Sequence, residues 1–278
     1  MKSVQRLDFL TQGDPAPENL KRKARRNLSR FKLSELHDHE ARWITASHEA
    51  GHAFISILTG ERILDVWVSE FSSRVNRVLG IYEGHVAAFE TSVYKTDEED
   101  AFKARNFDET SEPELLLDSV NFITGSLNEY ILVPESLDLV KIKQNLLTPI
   151  DELDEEDDFS LFQETFLAYL DRKHVNFSDL DMDERELLYG VAVDLLLDTL
   201  IDFLQQPYIQ KVIHGIAKKF LKESRMRGPH VKGQILQALR EEGVFAEDFT
   251  FIKADLSQRL DAFEADLEKK LANLLESP

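Results

Sequence analysis

The chain of 278 residues contains no cysteine. That excludes a disulfide framework, a thiolate metal site and a cysteine nucleophile, so any metal must be held by histidine and carboxylate. Basic residues are also scarce: 33 Lys and Arg stand against 52 Asp and Glu, for a formal charge of −19. Such a balance disfavours a nucleic-acid partner, which needs clustered cations for phosphate. One basic cluster does occur, "KRKARRNLSRFK" at 21–32, and it reads as a solvated arm or helix start. No apolar run is long enough to span a bilayer, and the first twenty residues lack the apolar centre of a signal peptide. The expectation is a cytoplasmic protein without a membrane segment. No G-x-x-x-x-G-K-[ST] phosphate loop occurs either, so nothing in the chain reads as a nucleotide-driven motor.

What is present is mostly helical patterning. A helix is expected from Ser34, a plausible N-cap, to Thr59, with Gly60 as its stop. From residue 50 onward nearly every position is apolar or small, so this part should be buried. "RILDVWVSEF" and "VLGIYEGHVAAFE" are rich in β-branched and aromatic residues and read as a two-stranded hairpin. Residues 96–114 are acidic and weakly patterned, as a surface loop would be. Helices follow at about 113–132, 136–147, 158–171, 183–204, 206–223 and 233–242, with "RMRGPHVKG" as a turn before the last. From Ala254 to Leu275 apolar residues recur at coiled-coil-like spacing; they suit packing on the body or on a second copy as a homodimer. The fold class is mainly α with a small β-hairpin (α+β). The divisions are an arm at 1–33, a domain at 34–240 and a C-terminal amphipathic helix at 241–278.

One short stretch carries chemistry. In "SHEAGHAFISILTG", His48 and His52 lie four apart and project from one helix face, so both imidazoles can reach one metal ion. Glu49 lies beside the first, placed to take a proton from water. This is H-E-x-x-H, two Zn2+ ligands with a general base. Two imidazoles and a carboxylate on a buried segment are costly without partners, and a metal removes that cost. Ala50 and Gly51, both small, let a neighbouring element approach the helix closely.

The stretch "HEAGHA" resembles the peptidase helix of the FtsH-type ATP-dependent zinc metalloproteases. "VLGIYEGHV" is similar to that family's glycine-containing edge strand, which receives extended substrate. "ITGSLNEYIL" resembles its Gly-x-x-Ala-Glu helix, with Gly125 and Glu129 matching and Asn128 in place of a small residue. "PESLDLVKIKQ" resembles the segment that carries the third zinc ligand, which implies Asp138. The likeness covers about residues 40 to 225, is specific at 48–53, and implies a zincin-like helical peptidase domain without its ATPase and membrane segments. Such a module would hydrolyse peptide bonds of polypeptides already unfolded, or delivered by a separate unfoldase or adaptor.

Glu129 is the alternative third ligand; its blander role is to hold a ligand histidine. Asp151, Asp154, Asp157 and Asp158 belong to an acidic run, read as solvated surface or a weak cation site. His85 ends the glycine-rich strand and reads as a solvent-facing strand residue, with a place facing the cleft, where it could steady an oxyanion, as the alternative. His37 and His39 lie more than two turns before the motif, too far to share its metal. His174, His214 and His230 have no motif around them. The expected function is a zinc metalloendopeptidase. The alternative is a non-catalytic peptidase-like binding or regulatory module with structural or lost zinc.

Overall fold

The computed structural model describes residues 38–68, 84–89, 110–132, 139–148, 158–173, 177, 180–223 and 225–275. In chain order the elements are α1 (Asp38–Thr59), β1 (Arg62–Val68), β2 (Gly84–Phe89), α2 (Glu112–Leu132), α3 (Leu139–Leu147), α4 (Asp158–Lys173), α5 (Met182–Leu204), α6 (Pro207–Lys222), β3 (Arg225–Arg227), α7 (Val231–Glu241) and α8 (Ala246–Leu275). The mainly helical architecture with a small antiparallel sheet is the one expected. The Ser34 cap and most of the acidic loop at 96–114 fall outside the described residues.

Helix α1 is the central element. Its last three turns carry Ala50, Ala53, Phe54, Ile55, Ile57 and Leu58, all buried, so apolar side chains point in every direction. A helix apolar all round must be enclosed; α2, α6, both long strands and α8 do so. It ends at Gly60, whose φ of +93° is a left-handed conformation that glycine adopts without a Cβ clash.

The sheet has three strands in the order β2-β1-β3, with all pairings antiparallel. β1 and β2 form the expected pair, with Val66 opposite Val86 and an irregularity between Ile63 and Asp65. β3 was expected to be part of a turn. Instead Arg225–Arg227 adds to β1, burying Met226 opposite Val66 and leaving both arginines exposed. The Arg227 guanidinium reaches Asp65 across the pair at 3.3 Å. Order places β2 at an edge: β1 pairs along one side of it and, among the described residues, no strand pairs along the other.

α2 packs on α1 and α4, and α5 joins α8. α5 starts on a capping box, in which the Asp181 side chain accepts from Glu184 N–H and Glu184 reaches back to Asp181 N–H. The C-terminal helix begins at Ala246, eight residues earlier than its apolar repeat suggested. Its stripe of Ile252, Leu256, Leu260, Phe263, Leu267 and Leu271 belongs to the same continuous core as α1 and α5. Tyr169 donates a 2.9 Å hydrogen bond to Glu264, and Arg259 pairs with Asp202, which further fastens α8 to α4 and α5. These six positions of the repeat are therefore buried against the chain's own body. No described helix is long and apolar enough to cross a membrane.

Candidate metal centre

His48 and His52 sit on successive turns of α1, and their Nε2 atoms are 3.1 Å apart. Oδ2 of Asp158, the first residue of α4, lies 3.0 Å from His48 Nε2 and 3.3 Å from His52 Nε2. The three atoms form a nearly equilateral triangle with a circumradius of about 1.8 Å, just inside the zinc–nitrogen bond length of about 2.0–2.1 Å. One ion can thus reach all three at ordinary bond lengths. Among the described residues this is the only cluster of three such groups within 4.8 Å of one another.

The far sides of both rings are engaged by α2. His52 Nδ1 lies 2.8 Å from the carbonyl oxygen of Asn121. That oxygen can only accept, so Nδ1 carries the proton. Oε1 of Glu129 stands 2.8 Å from His48 Nδ1, an ion-pair distance reached from off the ring's N–H direction. Residues 121, 125 and 129 are spaced by four, so they form one stripe rising about 6 Å per step, which matches the rise from His48 to His52. Asn121 thus serves one histidine and Glu129 the other, with Gly125 between them. His52 thus turns the lone pair of Nε2 toward His48 Nε2 and a carboxylate oxygen, and His48 does the same when its Nδ1 carries the proton beside Glu129. A proton or a metal ion must lie among them, because three acceptors at these distances repel.

The close approach of the two helices follows from glycines. A Cβ on Gly51 would stand 3.1 Å from the Thr124 carbonyl and 3.3 Å from the Gly125 backbone. Beside this crossing Asn128, fully buried, donates to the Ser47 carbonyl at 2.6 Å and accepts from Gln210 of α6 at 3.2 Å. Asn128 therefore ties three helices together. The Asn121 side chain likewise donates to Ser56 at 3.1 Å and Glu61 at 3.3 Å.

Electrostatics follow from burial plus carboxylates. Burial alone would lower the pKa of His48, but Asp158 and Glu129 outweigh it and hold the imidazole well above its usual value. His52 is raised in the same way, chiefly by Asp158. Burial also opposes ionisation of Asp158, yet the two imidazoles hold its carboxyl far below the ordinary range. Glu49 is 5% exposed, and burial pushes it up to about 7 against the pull of the two histidines.

Of the residues singled out in the sequence, His48, His52, Glu49 and Glu129 come together, and Glu129 faces the outer nitrogen of His48 rather than the triangle. Asp138 lies outside the described residues, as do Asp151, Asp154 and Asp157. Asp158 does not behave as solvated surface: it ends the acidic run but opens a helix whose Phe162, Phe166 and Leu170 are buried, and packing α4 against α2 carries it to the histidines. The available signal was that Asp158 immediately precedes an apolar periodicity, where a side chain is fixed by a helix start. His214 is buried on α6 against Trp43, with neither ring nitrogen hydrogen-bonded. His230 precedes α7 and is exposed.

No family model, no curated protein and no solved structure matches the chain.

Proposed function

We propose that the chain is a zinc-dependent metallopeptidase in which His48, His52 and Asp158 hold the metal. The observation that carries this reading is the convergence of two Nε2 atoms and one carboxylate oxygen within 3.3 Å, with His52 Nδ1 bonded to the Asn121 carbonyl and Glu129 beside His48 Nδ1. A partly buried set of two imidazoles, neutral when they bind metal, and one carboxylate is the donor chemistry that zinc takes in open, hydrolytic sites. Bound there, zinc would supply Lewis acidity, making water nucleophilic near neutral pH and polarising a peptide carbonyl.

The chain's own residues account for the remaining steps. Glu49 follows His48 directly on α1, which places its carboxylate beside the metal ligands to accept a proton from attacking water and return it to the leaving amine. Glu129 and the Asn121 carbonyl fix ring orientation. β2 packs on α1 and, among the described residues, has no strand along its outer edge, so an extended polypeptide could add there as a strand. Absence of a phosphate loop within these 278 residues makes unfolded or delivered chains the expected substrates.

A second reading, a binding module of peptidase-like shape, is favoured by one observation: the raised pKa values of both histidines let protons alone satisfy the cluster. Glu49→Gln separates the two. On the enzyme reading it retains about one zinc per chain but loses cleavage of casein by about 10²–10⁴-fold. Unchanged cleavage in this variant would remove Glu49 as the base, and absence of cleavage by the zinc-loaded wild type would favour the module.

A further inference from the structure

We propose that Gly125 is a positioning residue: its missing side chain keeps open the space that His48 and His52 present to a metal ion. The inference rests on the metal-binding reading above. A Cβ built on Gly125 would stand 2.4 Å from His52 Nε2, 2.7 Å from His48 Nε2 and 2.8 Å from His48 Cε1. These are the two nitrogens that form one side of the ligand triangle, so a methyl group there competes for the volume they face.

The other helical glycines of the fold set the scale. Gly190 in α5 has nothing within 4 Å of an added Cβ. Gly51 would press on the backbone of α2 at 3.1–3.3 Å, a contact relieved by a small shift between helices. Gly215 in α6 would meet Leu239 Cδ2 at 2.7 Å, and among the described glycines Gly125 alone is obstructed by the imidazoles. Those atoms are the ends of side chains, which can swing away without moving either helix. The cost of a side chain at Gly125 therefore falls on the arrangement of the ligands and not on the helix. Alanine is the better helix former, so the metal-free chain loses nothing in α2 by the exchange.

The experiment uses the full chain, prepared metal-free, as wild type, Gly125→Ala and Gly190→Ala. Zinc affinity is read by competition with a chromogenic chelator, ligand geometry by the visible absorption of the cobalt(II) form, and fold by the thermal midpoint without metal. Expected results are zinc binding by Gly125→Ala weakened on the order of 100-fold, a weak or absent tetrahedral cobalt spectrum, and a metal-free midpoint equal to or above that of wild type. Gly190→Ala should bind as wild type does. Zinc affinity of Gly125→Ala within about threefold of wild type overturns the proposal. So does a Gly125→Ala chain that unfolds or melts well below wild type without metal, since the glycine would then serve the fold. If the wild type itself takes up no zinc, the functional reading falls first and this inference with it.

Discussion

Two histidine sites in this molecule behave in opposite ways. On α1, His48 and His52 are enclosed by carboxylates and a carbonyl, and their affinity for protons is raised. On α6, His214 is buried, lies edge-on to Trp43 at a centroid distance of 4.9 Å, and is lowered to about 4 by burial and by Lys218. Burial alone is the weaker half of a site. It disfavours the charged ring in both places, and only convergent acceptors turn that cost into affinity for a cation.

The larger way to break this comparison is to remove an acceptor from the α1 site. Glu129→Gln keeps the shape but withdraws the charge behind His48, and zinc affinity should fall about 10–100-fold with the fold intact. Chelator competition together with thermal melting checks both parts. An unchanged affinity would mean that Glu129 does not act through His48.

The smaller test sharpens the other side. His214 is neutral when folded, and its folded pKa of about 4 lies below the unfolded value near 6.5. Between those values the unfolded chain binds more protons, so this contribution to stability is present above pH 6.5 and is lost as pH falls toward 4. His214→Phe removes the ring nitrogens that lack partners and the titration with them. It should stabilise the chain at pH 5 by about 1–2 kcal/mol relative to its effect at pH 8, measured by urea unfolding at the two pH values. A pH-independent effect would show that His214 does not titrate on unfolding.

Much of the fold was legible because local signals agreed. α1 stops at Gly60 and α2 ends at Leu132, as their apolar periodicity and punctuation indicate. β3 was not, since three residues with alternate exposure carry too little pattern, and only pairing with β1 makes Arg225–Arg227 a strand. The α8 stripe was visible but its partner was not, because the same spacing serves a chain's own body or another copy. The site divides in the same manner. His48, Glu49 and His52 are fixed by helix geometry within five residues. Asp158 is 110 positions from His48, inside an acidic run, and becomes a candidate ligand only when α4 packs on α2.

The central claim is that Asp158 completes the metal centre, and zinc stoichiometry of two variants tests it most directly. Wild type and Asp138→Ala should each retain about one tightly held zinc per chain after dialysis, while Asp158→Ala should lose it, with affinity lower on the order of 10²–10³-fold. Full retention of zinc by Asp158→Ala, above all with loss in Asp138→Ala, would contradict the account.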